Sequence, residues 1–591
     1  MKEGFGKIPE PSFSLIMPNQ KSLQHIFAEL PLPFCMANIP DIPITGIAID
    51  SRAVKPGYLF VAMKGGSADG HDYISKAIEN GAVAVVGERG LSGLTVPYVR
   101  LDNPRRALTW MAAAFYNWPG RKLRVIGVTG TDGKTTTTNL IYQILLAARI
   151  KAGMISTVNA VIGDEVLDTG FHVTTPDAQD VQRYLAKMVE AGLTHVVLET
   201  TSHGWAQYRV DACEFDIGVV TNITHEHMDE HGSYENYRAA KARLFESLEK
   251  TSEKPQGNPR LGVINRDDVK SFDFLNNFIR VKKLNYGLGE DADVRAVDIR
   301  YSPSGIHFTA KSKDFEIPFS SKLVGAYNVS NCLAALTATA YGLGIKPEIA
   351  AQGIASLEGI PGRMERIDMG QNFTAIVDFA HTPNALKVVL EAAREMLKPA
   401  TEITESLEKT EKKNSENSPG TARQGRCVNS VAKHPRVIAV FGSAGLRDKA
   451  KRRMMAETSA ELADLTVLTA EDPRTESLDG ILEEMAAGAR HRPATEGSVE
   501  GSKGGHEGET FWRIPDRGEA IRFALRLARD GDIVLYCGKG HEQSMCFGAR
   551  EHLWDDRTAM RAALSELLGV EGPKMPYLPT QDTPEEEWLK F

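Results

Sequence analysis

Apolar positions along this chain fall into two alternating patterns: short runs of β-branched residues, then stretches with apolar side chains three and four apart. The clearest instance begins at Arg124. Val125, Ile126 and Val128 suit a buried strand, while Leu140, Ile141, Ile144, Leu145 and Ala148 share one helical face, so Gly130-Thr131-Asp132-Gly133-Lys134 is the turn between them. Strand then helix repeats downstream, with strands expected over 195–200, 216–224 and 261–265, a helix over 234–250, short strands around 281–319 and an alanine-rich helix reaching Ala340. A break follows Ile360-Pro-Gly-Arg-Met-Glu365. Runs at 374–378, 436–440, 465–468 and 533–536 then each lead into a loop carrying charged residues. Ahead of the first series, 47–52, 54–62 and 82–86 read as strands and 71–80 as a helix.

This alternation predicts an α/β fold in three domains. The divisions are a polar extension over 1–24, a small α/β domain over 25–122, a central parallel-sheet domain with the phosphate-type loop over 123–360, a C-terminal Rossmann-like α/β domain over 361–572, and a loosely packed tail over 573–591. Residues 401–434 lack aromatics and are rich in Glu, Lys, Ser and Asn, and 493–509 is rich in Gly, Ser and Glu; both read as disordered insertions.

Composition narrows the function without choosing it. A chain of 591 residues that is 42% hydrophobic, 25% charged and 7% aromatic can bury several cores. A formal charge of -8 argues against a general nucleic-acid binder. The cysteines at 35, 213, 332, 427, 537 and 546 lie too far apart for metal-ligand spacing, and no signal-like or membrane-length apolar run occurs, so a reduced, cytoplasmic protein with no membrane partner is expected. A monomer is expected, although no pattern in the chain fixes its oligomeric state.

The loop after the first central strand carries the chemistry. Gly130 and Gly133 let backbone N–H groups close around phosphate oxygens at a helix N-terminus, Lys134 can offset the outer phosphates, and Thr135 can offer its hydroxyl to Mg²⁺. A nucleoside triphosphate is therefore expected, although Val128 stands where the strict pattern has glycine. Glu199 ends a neighbouring strand, where an open α/β sheet collects ligands. His225-Glu-His-Met-Asp-Glu-His231, taken alone, reads as a solvated loop ahead of a metal site, although its place at a strand end makes the metal site the alternative, and Lys241 by helix position alone reads as a solvent-facing lysine. Asn328 and Asn331 share one helical face, placed to read a base, although Asn328 also suits a helix cap.

Gly130-Thr-Asp-Gly-Lys-Thr-Thr136, Glu199-Thr-Thr-Ser-His203, Asn222-Ile-Thr-His-Glu-His-Met-Asp229, Asp378-Phe-Ala-His-Thr-Pro383 and Gly538-Lys-Gly-His-Glu542 occur in an order that resembles the Mur ligases, the ATP-dependent ligases that build the peptidoglycan stem peptide. Asp50-Ser-Arg52, the Gly65-Gly-Ser-Ala-Asp-Gly70 loop and Gly445-Leu-Arg-Asp448 look like the member that adds a diamino acid to UDP-N-acetylmuramoyl-L-alanyl-D-glutamate. The resemblance implies that Ser51, Gly66, Ser67 and Ala68 hold the uridine diphosphate end and that Thr174, Thr175, Thr201, Gln207 and Arg209 hold the muramoyl-dipeptide. Val173 stands where the family has Asn. It further implies ATP at Gly130, Thr131, Asp132, Gly133, Lys134, Thr135, Thr136, Asn328, Asn331, Arg363, Asp378 and His381. Lys134, Glu199, His227 and Lys241 would be catalytic, with Thr135, Glu199, His227 and a carbamate on Lys241 as metal ligands.

Arg447, Glu471, Asp472, Pro473, Arg474, Gly538 and Glu542 match the family's amino-acid site. Arg474 favours meso-diaminopimelate, because a guanidinium can bind its distal carboxylate bidentately. Asp472 replaces the family's Asn and adds a negative charge, which keeps lysine and ornithine open. A folylpolyglutamate-synthase-like ligase and a scaffold without turnover are the competing readings.

Overall fold

The computed structural model describes residues 20–31, 39–65, 68–167, 175–224, 232–302, 305–397, 434–490 and 510–580. Three sheets organise the chain in sequence order. The first has four parallel strands, Gly46–Ala48, Tyr58–Val61, Ala82–Gly87 and Tyr98–Arg100, paired in that order. Helix Pro104–Phe115 covers one side through Ala107, Leu108 and Met111, and it starts where Asn103 caps it ahead of Pro104. The expected strand over 47–52 is shorter. It stops at Ala48, and Asp50 accepts the N–H of Arg52 to cap a 3₁₀ turn over Ser51–Ala53. Lys21–Ser22 pairs with Pro43–Ile44, and Leu23, Ile26 and Phe27 are buried, so residues 21–24 pack with this sheet and not as an extension.

The central sheet has eleven strands. Strand Arg124–Thr129 lies inside it, between His195–Glu199 and Phe215–Val220, all parallel. The chain leaves Arg124–Thr129 toward Ala152–Ile155 on one side and later returns on the other, which opens a crevice at the carboxyl ends of these strands. Strands Val294–Ser302, Gly305–Ser312 and Glu316–Ser321 extend the far edge antiparallel. Helix Lys134–Ala147 packs against helix Tyr327–Leu343, whose buried Ala334, Ala335 and Ala338 allow close approach.

The third sheet has six strands in the order Glu365–Ile367, Thr374–Asp378, Ile533–Cys537, Val437–Phe441, Leu465–Leu468 and Phe511–Arg513, parallel after the first pair. Two hydrophobic clusters fill its faces, one with Trp512, Trp554 and Tyr536 and the other with Leu390, Met455 and Met485. Met575 and Leu578 are buried in the former, so the chain beyond residue 572 packs firmly at least to that point, where a loose tail was expected. The expected insertions at 401–434 and 493–509 lie almost wholly outside the described residues. The crossing from the second sheet to the third runs through Gly362, where a Cβ would stand 2.2 Å from the His541 nitrogen; only a residue without a side chain lets this segment lie on the Gly538–Glu542 loop.

Candidate functional site

Gly133 takes φ +80 as the N-cap of helix Lys134–Ala147, a left-handed conformation that glycine adopts without strain. A Cβ there would also stand 2.4 Å from Asn331 Oδ1. The loop is held from outside as well as by its own backbone. Asn222 accepts the Thr131 N–H through its carbonyl at 2.7 Å and the Asp132 N–H through Oδ1 at 2.9 Å, and Thr131 Oγ1 lies 3.0 Å from the Tyr237 hydroxyl. Lys134 Nζ donates to the Thr131 carbonyl at 2.7 Å, folded back over the loop.

Lys241 contradicts its reading as a solvent-facing lysine. Ser233 caps helix Tyr234–Lys250, and the buried face of that helix carries Tyr237, Ala240, Lys241, Leu244 and Phe245. Lys241 is only 2% exposed, its Nζ lies 4.5 Å from the Tyr237 ring centroid, and it donates to the Gly130 carbonyl at 2.5 Å. A buried ammonium against an aromatic face and a carbonyl brings this side chain to the base of the phosphate loop.

Glu199 is buried to 1% exposure at its strand end. One carboxylate oxygen accepts the Thr135 hydroxyl at 3.0 Å and the other accepts the Thr157 N–H at 2.9 Å. These are neutral donors to a buried charge, and both side chains supply hard oxygen, the chemistry that suits Mg²⁺ completed by phosphate oxygens. Among the described residues no group of three or more His, Cys, Asp or Glu side chains could hold a metal ion.

Thr175, Thr201, Gln207 and Arg209 come together beside Glu199. Thr175 Oγ1 lies 3.2 Å from Thr201 Oγ1, Arg209 donates to the Thr175 carbonyl at 2.6 Å and to Gln207 Oε1 at 3.1 Å, and Thr201 caps the short helix Ser202–Ala206. Burial lowers the Arg209 pKa, only partly offset by Asp177. Gln207 Nε2 lies 2.6 Å from His203 Nε2, which places the histidine in this polar group.

The third sheet reaches the Gly130–Thr135 loop. Arg363 Nη2 reaches Thr135 Oγ1 at 3.4 Å, its guanidinium lies 4.5 Å from the Phe379 ring centroid, and Asn384 Nδ2 donates to Asp132 Oδ2 at 3.1 Å. Asp378 is buried and accepts the N–H groups of Met364 and Ala380, each at 2.7 Å; burial raises its pKa. His381 is pushed down to about 3, mainly by burial and then by Lys451, so it is neutral at ordinary pH. Asn328 is not the helix cap: it lies in the first turn, donates to the Val324 carbonyl at 2.7 Å and accepts from Asn331 at 2.9 Å.

The opposite end draws on three strand ends of the third sheet. Asp472 and Arg474 take φ +41 and +53 on either side of Pro473, a left-handed backbone that costs non-glycine residues energy and that the surrounding contacts must hold. Asp472 Oδ1 accepts the Cys546 N–H at 2.9 Å, and Oδ2 pairs at 2.9 Å with Lys539 Nζ, which also pairs with Glu542. No carboxylate pairs with the Arg474 guanidinium among the described residues. Glu471 is buried, its Oε2 has no hydrogen-bond partner, and burial raises its pKa. Gly538 leaves room for that oxygen, since a Cβ would meet it at 2.4 Å.

Sequence reasoning missed the frame beneath these loops. Arg517, fully buried, donates to both carboxylate oxygens of Asp556, to the Ala470 carbonyl at 3.0 Å and to the Cys537 carbonyl at 2.9 Å, so it ties together the strand ends that precede Glu471 and Gly538. Arg452, also buried, pairs with Glu476 and Glu484 under the Arg447 loop. Neither had a signal in the sequence, because both stand in ordinary helices. Lys539 did have one: it lies inside the Gly538-Lys-Gly-His-Glu542 motif, three residues before Glu542.

One cleft of about 1190 Å³ joins these groups. Thr131, Asp132, Gly133, Lys134, Thr135, Thr136, Asn328, Asn331, Arg363, Asp378 and His381 line it together with Thr175, Glu199, Thr201 and Arg209, and so do Arg447, Glu471, Asp472, Arg474, Gly538 and Glu542. Gly130, Gln207, Lys241 and Pro473 are not among the lining residues, and neither are Ser51, in the 3₁₀ turn beside the first sheet, and Ala68, in the loop before Asp69. Gly66, Ser67, Thr174 and His227 lie outside the described residues.

Family models match along the chain in the same order as the three sheets: "Mur ligase family, catalytic domain" over residues 43–116, "Mur ligase middle domain" over 128–339, and "Mur ligase, glutamate ligase domain" over 424–540. A UDP-N-acetylmuramyl-tripeptide synthetase of Roseiflexus sp. is 41% identical over 90% of this chain and 97% of its own length. A UDP-N-acetylmuramoyl-L-alanyl-D-glutamate--2,6-diaminopimelate ligase of Geobacillus thermodenitrificans is 38% identical over 89% of this chain and 96% of its own. A solved structure of a ligase with that same name superposes with a TM-score of 0.59 at 29% identity, covering 93% of this chain and 99% of that one. Phosphate loop, cleft and full-length relatives agree, and the chain belongs to the Mur ligase family.

Proposed function

We propose that this protein is the ATP-dependent ligase that joins meso-diaminopimelate to the D-glutamyl side-chain carboxylate of UDP-N-acetylmuramoyl-L-alanyl-D-glutamate in peptidoglycan synthesis. The observation that carries the reading is the single cleft, with Lys134 and Glu199 at one end and Arg447, Arg474 and Glu542 at the other. A phosphoryl donor, a carboxylate acceptor and an incoming amine can meet there without passing through bulk water. The relatives named for this reaction span nearly the whole chain.

The residues divide the work by charge. Lys134 offsets negative charge on the outer phosphates as the γ-phosphoryl group moves to the D-glutamyl carboxylate and ADP departs. Thr175, Thr201, Gln207 and Arg209 hold the muramoyl-dipeptide, with Ser51, Gly66, Ser67, Ala68 and Thr174 toward its nucleotide. Asn328, Asn331, Arg363, Asp378 and His381 bound the ATP. The amine then attacks the acyl phosphate, the tetrahedral intermediate collapses with loss of inorganic phosphate, and the amine proton leaves to solvent, so ADP, phosphate and an amide remain.

Thr135 and Glu199 would hold Mg²⁺, which supplies Lewis-acid neutralisation of the phosphate oxygens. His227 and a carbamate on Lys241 would complete that set, the carbamate turning a buried amine into an anionic oxygen donor. A carbamate carbon signal from the protein in ¹³C-bicarbonate, lost in Lys241→Gln, tests the last point; no signal in the active enzyme removes it.

Phosphate release with ATP, Mg²⁺ and UDP-muramoyl-dipeptide, compared across meso-diaminopimelate, L-lysine and L-ornithine, tests the function. Release is expected with diaminopimelate. Silence with all three overturns the reading and favours the scaffold, and turnover with a folate substrate alone favours the folylpolyglutamate-type ligase.

A further inference from the structure

The diamino-acid end of the cleft carries three acids, Glu471, Asp472 and Glu542, in the same lining as Arg447 and Arg474. By residue count these acids would welcome a substrate with an unbalanced side-chain ammonium. The contacts give a different result. Lys539, 1% exposed at its side chain, stands between two of the acids, 2.9 Å from Asp472 and in direct contact with Glu542. Both Asp472 oxygens are engaged, one by that ammonium and the other by the Cys546 N–H. Burial works against the Lys539 charge, but Glu542 and Asp472 outweigh it and hold the lysine pKa above its ordinary value. Across the same loop, Arg474 has no carboxylate partner among the described residues.

Resting on the function proposed above, we infer that Lys539 is a specificity-determining positioning residue: as the counter-ion of Asp472 and Glu542, it leaves Arg474 as the uncompensated charge that selects an amino acid with a distal carboxylate. The aspartate at 472 is thereby an internal partner of Lys539 and not a receptor for a second ammonium. A substrate without the distal carboxylate would leave Arg474 unpaired in a half-buried site, which costs more than the loss of a contact. Removing Lys539 strips Asp472 of its ammonium partner and lowers the preference.

The test uses the full-length protein, measuring KM and kcat for meso-diaminopimelate and for L-lysine at saturating ATP and UDP-muramoyl-dipeptide. In Lys539→Gln the ratio of kcat/KM for diaminopimelate over lysine falls by at least about tenfold, carried by KM. Lys539→Arg keeps the ratio near that of the wild type. Lys539→Gln combined with Asp472→Asn recovers most of it, because the released charge is gone. An equal loss with both amino acids, or no recovery in the double variant, overturns the role of Lys539 while leaving the ligase reading intact. Absence of diaminopimelate-dependent release from the wild type overturns that reading first, and this inference with it. A thermal-melting cycle over the same variants needs no substrate; additive Tm changes for Lys539→Gln and Asp472→Asn would show that the pair does not couple, and would overturn the inference even if Lys539→Gln were too unstable to assay.

Discussion

At one end of the cleft Gly130, Gly133, Lys134 and Thr135 come from one strand-to-helix turn; Asn222 and Lys241 brace its backbone, Tyr237 meets the Thr131 hydroxyl, and Glu199 and Arg363, at Thr135, add distant charged groups. At the end proposed for the diamino acid the groups come instead from three separate short runs. Arg447, Asp472, Arg474 and Glu542 arrive from three strand ends; buried Arg517 ties the carbonyls of Ala470 and Cys537 together, and buried Lys539 pairs with Asp472 and Glu542. The first kind of site is set by local backbone geometry and tolerates changes elsewhere; the second is set by buried pairs, so a remote substitution can unmake it.

The strongest test of that contrast is Arg517→Met. It leaves Asp556 charged and buried, and a loss of about 3–5 kcal/mol in chemical denaturation is expected. A loss below about 1 kcal/mol would mean that the frame is not held by this pair. Lys134→Ala should leave stability nearly unchanged and lower phosphate release by about 100- to 1000-fold. Residual activity within tenfold of the wild type would remove Lys134 from the mechanism. Arg474→Ala should raise KM for diaminopimelate by about 10- to 100-fold, matching one lost charged hydrogen-bond pair, with the ATP KM unmoved. If the ATP KM rose in parallel, the two ends would not be separable in this way. Asn384→Ala removes one exposed contact to Asp132 and should cost about 0.5–1 kcal/mol, read as a change of a few-fold in ATP KM.

The smallest effect is a control in the first sheet, away from both ends. Asp69 accepts the backbone N–H and the Nδ1 of His71, and these hydrogen bonds, the backbone one first, lower its pKa from 3.8 to about 2. Because the folded value is the lower one, the stabilisation is present above pH 3.8 and is lost as pH falls toward 2. The advantage of the wild type over Asp69→Asn in melting temperature should therefore shrink across that window. A gap that stays constant would show that the carboxylate charge is not what matters.

The same contrast explains what could be read from the chain before its fold was known. The strand Arg124–Thr129, the helix Tyr234–Lys250 and the strand Leu465–Leu468 were legible because hydrophobic period and nearby caps decide them. The burial of Leu23, Ile26 and Phe27 and of Met575 and Leu578 was not, because it depends on partners far away in sequence. Helix position alone would put Lys241 in solvent; the family resemblance drew it to the site, and it stands on the apolar face among Tyr237, Leu244 and Phe245. Asp472 was visible as a departure from a motif, but its charge balance depends on Lys539, sixty-seven positions later in the chain.

The glycine at 362 carries a consequence for how the ligands influence one another. The segment that lies against the Gly538–Glu542 loop there continues directly into Arg363, which reaches Thr135 on the phosphate loop. Any rotation of the third sheet about this crossing moves both contacts together. Nucleotide and diamino acid would then stabilise the same closed arrangement, and linkage requires the effect to be reciprocal: each ligand tightens the other by the same factor. Order of addition would thus reflect the shared pivot as much as either pocket, and a larger side chain at 362 would weaken both affinities in proportion.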